Sequence, residues 1–149
     1  MSEHTQTPSD SASIRVMLVD DSAVVRGFLS RILEPENDIE VVATAANGRN
    51  AVNSLARSRP DIIVLDVEMP VMTGLEALPE ILKEQPDARV VMCSTLTHEN
   101  AETTMRAMEL GAVDCIGKPS SARDINASGQ FGNDLLRMVR HIGGTMRDK

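Results

Sequence analysis

The stretch Asp61 to Gly74, DIIVLDVEMPVMTG, constrains the fold more than any other part of the chain. Ile62, Ile63, Val64 and Leu65 are consecutive, apolar and mostly β-branched, so a strand built from them has no polar side and must be buried on both faces. Such a strand belongs inside a parallel sheet with helices packed above and below. It ends on Asp66, and Pro70 and Gly74 then impose a loop before the next helical stretch. A carboxylate at the carboxyl end of a buried parallel strand stands where open α/β sheets place their chemistry. Taken alone, Asp66 also reads as a turn residue that caps the next segment.

The rest of the chain repeats this pattern. Residues 1–13 are polar, rich in Ser and Thr and without periodicity, which predicts a disordered lead-in. Ile14 to Val19 is a first buried strand that stops at Asp20, Asp21 and Ser22, and Ser22 or Asp21 can cap the next helix. Val24, Val25, Phe28, Leu29, Ile32 and Leu33 recur at helical spacing until Pro35. Ile39 to Ala45 is a second strand, and Asn47-Gly48 opens a second helix. After the central strand a helix is expected near Leu75 to Glu84, a strand over Arg89 to Cys93 and a helix over Asn100 to Leu110, stopped by Gly111. Ala112 to Ile116 is a fifth strand, residues 120–130 a loop, and Phe131 to Ile142 a last helix, with 143–149 a tail or the start of a linker. Five strands alternating with five helices predict an α/β fold, a flavodoxin-like doubly wound parallel sheet of order 2-1-3-4-5, in one domain over residues 14–142.

Composition narrows the function. A net charge of −7 argues against nucleic acid, whose phosphates need a basic face. No apolar run reaches the ~18 residues of a membrane span and no signal-peptide pattern precedes the first strand, so a cytoplasmic protein is expected, with no membrane insertion. Cys93 and Cys115 lie inside apolar runs without zinc spacing and read as buried thiols. His4, His98 and His141 fall in the tail, a loop and the last helix, and read as solvated side chains.

Polar residues stand at the carboxyl ends of four strands: Asp20 and Asp21, Asp66, Ser94, and Lys118. In the order 2-1-3-4-5, strands one and three meet at the topological switch point, which brings the three aspartates together. Carboxylates a few ångströms apart repel, and a hard divalent cation resolves the repulsion. Mg²⁺ prefers oxygen ligands and keeps several waters, so Asp20, Asp21 and Asp66 are candidate ligands together with the backbone carbonyl of Glu68. Beside the metal, Asp66 can act as a nucleophile toward phosphorus, with the Lys118 ammonium and the Ser94 hydroxyl neutralising the remaining phosphoryl oxygens. Each residue alone has a structural explanation as a helix cap, a strand-end turn residue or a solvated lysine. Those explanations leave the coincidence on one edge of the sheet unaccounted for.

These positions resemble response-regulator receiver domains, in which an acidic pair, a phosphoacceptor Asp, a Ser/Thr and a Lys-Pro recur; here they are Asp20, Asp21, Asp66, Ser94 and Lys118-Pro119. In that family the Lys-Pro bond is usually cis, which the resemblance implies for Lys118-Pro119. The stretches DDSAVVRGFLSRIL, DIEVVATAANGRNAV, LDVEMPVMTGLEAL and CSTLTHENAETTMRAMELGAVD are similar to the receiver half of CheB-type chemotaxis protein-glutamate methylesterases. The resemblance implies a histidine kinase of the CheA type as phosphodonor, a linked methylesterase domain covered by the unphosphorylated receiver, and chemoreceptors reached through that domain. Two positions depart from the pattern. Thr73 stands where the subfamily commonly has Asp. Cys115 replaces the Tyr or Phe that usually repacks during switching, which directs the expected output to the helix after Ser94 and the fifth-strand face.

The chain has no GxSxG-type elbow, so ester hydrolysis is not expected of it, only self-phosphorylation and autodephosphorylation. Three alternatives stay open at this point. One is a stand-alone CheY-like receiver acting by reversible docking, another a pseudo-receiver. The third, a Mg²⁺-dependent phosphatase of the haloacid-dehalogenase kind, would use Glu68 as its second acid and leave Asp20 and Asp21 without a role.

Overall fold

The computed structural model describes residues 13–94, 98–117 and 129–147. Among them five strands, β1 (Ile14–Val19), β2 (Ile39–Ala45), β3 (Ile62–Asp66), β4 (Arg89–Ser94) and β5 (Asp114–Gly117), alternate with five helices. The helices are α1 (Ala23–Leu33), α2 (Gly48–Ser58), α3 (Gly74–Glu84), α4 (His98–Glu109) and α5 (Gln130–Arg147). All strand pairs are parallel and the order is β2-β1-β3-β4-β5, as the alternation predicts.

The apolar runs divide between two faces with the strand period of two. Met17, Val19, Ile63, Leu65, Val90 and Met92 pack toward α2 and α3, against Ala51, Leu55, Leu78 and Ile81. Val16, Leu18, Ile62, Val64, Val91 and Cys93 pack toward α1 and α5, against Leu29, Leu33, Leu135 and Val139. Every residue of β3 is buried, which is why its sequence carries no alternation.

Several element boundaries differ from the sequence expectation. β5 begins at Asp114 rather than Ala112. The Ala112 amide donates to Ala107 and the Gly111 amide to Met108, a Schellman closure with Gly111 at φ 117° that commits Ala112 to the end of α4. α4 itself starts at His98, so that histidine is helical and not in a loop. α5 continues past Ile142 through Gly143 and Gly144 to Arg147. Gly143 is where the helix crosses β1, since a Cβ there would lie 2.5 Å from Ile14 Cδ1. Farther back, Arg140 anchors α5 through Asp38, at 2.9 Å and 3.0 Å, and Glu36, at 2.5 Å. The expected loop over residues 120–130 and the N-terminal tail fall almost wholly outside the described residues.

Between β3 and α3 the chain turns sharply at Val71, whose φ is 71° and whose side chain is 81% exposed. The Met72 amide donates to the Pro70 carbonyl at 2.7 Å, closing a three-residue turn that disfavours a β-branched residue. Val71→Gly is therefore expected to raise stability by about 0.5–1 kcal/mol, the relief of left-handed strain exceeding the added unfolded-state entropy. Urea denaturation measures this, and a loss of stability would contradict it.

Candidate functional site

The acidic cluster arises from strand register. β1 and β3 pair with Val19 opposite Leu65, so the next residue on each, Asp20 and Asp66, emerge side by side at the carboxyl edge. Asp20 and Asp66 are 1% and 3% exposed, whereas Asp21 is exposed. One carboxylate oxygen from each of Asp20, Asp21 and Asp66 lies within 4.8 Å of the others.

The turn carrying Asp20 is tightly bonded. Its amide donates to the Ala45 carbonyl at 3.1 Å, and its Oδ1 accepts from the Ser22 amide at 2.8 Å. Of the two expected caps for α1, Ser22 is the one used: its Oγ accepts from the Val25 amide at 3.2 Å. Arg26, one turn into α1, donates from Nη1 to the Asp20 carbonyl at 2.6 Å.

The loop after Asp66 is held from both ends. Gly74, expected as a loop former, is the first residue of α3, and its amide donates to the Val67 carbonyl at 2.7 Å. Thr73 caps α3 in a reciprocal capping box, accepting from the Glu76 amide at 3.2 Å while Glu76 Oε1 accepts from the Thr73 amide at 2.9 Å. The Gly48 amide of α2 donates to the Met72 carbonyl at 3.3 Å, tying the loop to a neighbouring helix. Glu68 stands two residues after Asp66 with its side chain exposed.

Ser94 is buried at the end of β4, one position beyond Cys93, which pairs with Asp66. It pairs with Gly117 of β5, the residue before Lys118. Lys118 and its bond to Pro119 lie outside the described residues. The structure thus brings Asp20, Asp21 and Asp66 together and sets Ser94 on the same sheet edge. Sequence reasoning missed Arg26 and Thr73. The Thr73-x-x-Glu76 spacing is itself a capping-box signal, whereas an arginine that binds a backbone carbonyl leaves no spacing to read.

Cys93 is buried, but Cys115 is only half-buried, a correction to the expectation from its apolar neighbours. Its Sγ donates to Met108 Sδ at 3.8 Å. Burial, and then the Asp114 carboxylate, push its pKa above the ordinary value of 9.0. The neutral thiol therefore dominates at pH 7. Alkylation by iodoacetamide is expected to be slow there and to accelerate as pH rises past the ordinary thiol range. Modification of Cys115 in the folded protein at pH 7 as fast as a free cysteine would contradict this.

Comparison with known proteins places this doubly wound sheet, with three carboxylates at its switch point, in a class of signalling domains. The chain belongs to the response regulator receiver domain family, whose model matches residues 16–129. Within that family it is similar to "Protein-glutamate methylesterase/protein-glutamine glutaminase 1" of Rhodospirillum rubrum, at 49% identity over 90% of this chain and 35% of the relative. The protein of the same name from Paramagnetospirillum magneticum is 51% identical over 91% of this chain and 35% of its own length. The chain thus spans about a third of the length of these relatives. Among solved structures, the response regulator domain of Thermotoga maritima CheB matches with a TM-score of 0.78 and 39% identity, covering 89% of this chain and 97% of that one. CheY of Borrelia burgdorferi, in a CheX-CheY-BeF₃-Mg²⁺ complex, matches with a TM-score of 0.73 and 27% identity over 89% and 92%. The match to the regulatory part of methylesterases favours that reading over a stand-alone receiver. No helix among the described residues is long and apolar enough to cross a membrane.

Proposed function

We propose that the chain accepts a phosphoryl group on Asp66 and acts as the regulatory domain of a chemotaxis methylesterase. The observation that carries this is the convergence of Asp20, Asp21 and Asp66, with oxygens within 4.8 Å, two of them on buried residues at the switch point of the sheet. An all-oxygen donor set of this charge fits Mg²⁺ better than a softer ion. The complex of the Borrelia relative contains both Mg²⁺ and BeF₃, in keeping with this. When bound, Mg²⁺ would neutralise the cluster and the charge on a transferring phosphoryl group. The backbone carbonyl of Glu68 is proposed as a further ligand.

In this account an Asp66 Oδ attacks phosphorus of the donor, forming an O–P bond as the donor's P–N or P–O bond breaks, and the leaving group departs with the bonding pair. Ser94 donates its hydroxyl to one phosphoryl oxygen and Lys118 its ammonium to another. The donor in the cell is a histidine kinase of the CheA type. The acyl phosphate carries about −1.5 to −2 charge where the aspartate carried one negative charge, and it presents strong acceptor oxygens at the sheet edge, which biases a two-state surface toward its partner. That surface is proposed to be α4, the turn after it and the β5 face, where Met105, Met108 and Val113 are exposed and Cys115 replaces an aromatic. The proposed partner is a methylesterase domain following residues 14–142, in the cytoplasm, acting in turn on chemoreceptors.

Borohydride reduction tests the assignment of the residue. After incubation with acetyl phosphate and Mg²⁺, reduction converts a phosphorylated aspartate to homoserine, and peptide mass spectrometry is expected to find homoserine at position 66. Homoserine at Asp20 or Asp21 instead would overturn the assignment.

A further inference from the structure

We propose that Arg26 is a positioning residue for the metal-binding carboxylates, holding the Asp20 main chain so that its carboxylate faces Asp66. The inference rests on the reading of the acidic cluster as a divalent-cation site. Asp20 leaves β1 at the point where strand pairing ends, and its orientation then depends on individual bonds. Its amide is fixed by Ala45 at 3.1 Å and its Oδ1 by the Ser22 amide at 2.8 Å. To these Arg26 adds a 2.6 Å donation from Nη1 to the Asp20 carbonyl, reaching back from a side chain of α1. Arg26 is placed for this by its own amide, which donates to the Ser22 carbonyl at 2.9 Å, one turn above the helix cap.

The adjoining cleft offers Arg26 no ion-pair partner among the described residues. Its half-buried side chain lines a polar cleft of about 420 Å³ shared with Asn50, Asn53, Ser54 and Arg57. Among the described residues a second guanidinium, and no carboxylate, lines that cleft, so Arg26 is not the cationic half of an ion pair there. A planar guanidinium reaching a carbonyl from a fixed helical position constrains direction as well as distance.

Two effects of removing Arg26 have opposite signs, which makes the proposal testable. As a mere cation near three carboxylates, Arg26 would weaken metal binding, and its loss would tighten it. As a positioning residue its loss loosens Asp20 and weakens binding, in the range seen when a group supporting a metal ligand is removed. Binding of Mn²⁺, used as the probe, can be followed by the electron paramagnetic resonance of the free ion. Arg26→Met is expected to weaken Mn²⁺ binding about tenfold, and Arg26→Lys, which keeps a donor, to return it to within about threefold. In the metal-free protein, amide resonances of Asp20 to Ser22 should shift in Arg26→Met while far-UV circular dichroism stays that of the wild type. Equal or tighter Mn²⁺ binding by folded Arg26→Met overturns the proposal. Should Arg26→Met not fold, Arg26→Gln, which lacks the charge and the reach, decides: Mn²⁺ binding weakened about tenfold supports the proposal, and equal or tighter binding overturns it. Absence of Mn²⁺ binding in the wild type overturns the site reading and this inference together, whereas binding in the wild type that Arg26→Met leaves unchanged overturns this inference alone.

Discussion

Gly74→Ala is expected to destabilise the protein by about 3 kcal/mol, the upper range for overpacking, because nothing near position 74 can yield. A Cβ there would collide with the Asp66 carbonyl oxygen and lie 2.9 Å from Val67 Cα and 3.0 Å from Asp66 C, all of them backbone atoms. Relief requires moving either the first turn of α3 or the end of β3. The second choice displaces Asp66 itself, so metal binding should fall along with stability. Gly27, in the middle of α1, supplies the opposite case, since no atom lies within 4 Å of its Cβ position. Gly27→Ala is expected to stabilise by about 0.5–1 kcal/mol through helix propensity and reduced unfolded-state freedom. With neither Trp nor Tyr in the chain, urea denaturation followed by far-UV circular dichroism is the suitable measurement. Equal effects of the two substitutions would contradict the packing account.

Asp66→Asn is expected to abolish phosphoryl acceptance and, in the absence of metal, to stabilise the fold. Asp66 and Asp20 are both buried, and their carboxylate oxygens lie within 4.8 Å of each other and of Asp21. An amide of the same shape removes one member of this like-charged group, a relief of about 1–3 kcal/mol at an effective dielectric between those of water and protein surface. The sign reverses on adding Mg²⁺. Wild type should gain stability through preferential binding to the folded state, while Asp66→Asn gains less. Thermal unfolding of both proteins with EDTA and with excess Mg²⁺ reads the crossover directly. A variant less stable than wild type in EDTA, or a wild type indifferent to Mg²⁺, would contradict the reading of the cluster.

Much of this was legible in the sequence because burial on two faces leaves a plain mark. The runs at Ile14 to Val19 and Ile62 to Leu65 could only be interior strands, and once their order was set Asp20 and Asp66 had to be neighbours. Less legible were features fixed by a helix closure or by tertiary contact. Ala112 has strand-like neighbours, yet its amide is taken by the Schellman closure of α4. Gly143 and Gly144 read as a helix end, but Gly143 is the small residue over which α5 crosses Ile14. Cys115 sits in an apolar run at an edge strand, where one face stays half open. Arg26 looks like an ordinary surface arginine of an amphipathic helix, and only its approach to the Asp20 carbonyl distinguishes it.

The central claim is that the aspartate cluster holds a divalent cation and that Asp66 takes a phosphoryl group from a donor. Intact-protein mass spectrometry after incubation with acetyl phosphate, with Mg²⁺ and with EDTA, tests it most directly. The account predicts a gain of one phosphoryl group in Mg²⁺, none in EDTA, and none in Asp66→Asn under either condition. An unchanged mass for folded wild-type protein in Mg²⁺, or an equal gain in Asp66→Asn, would contradict it.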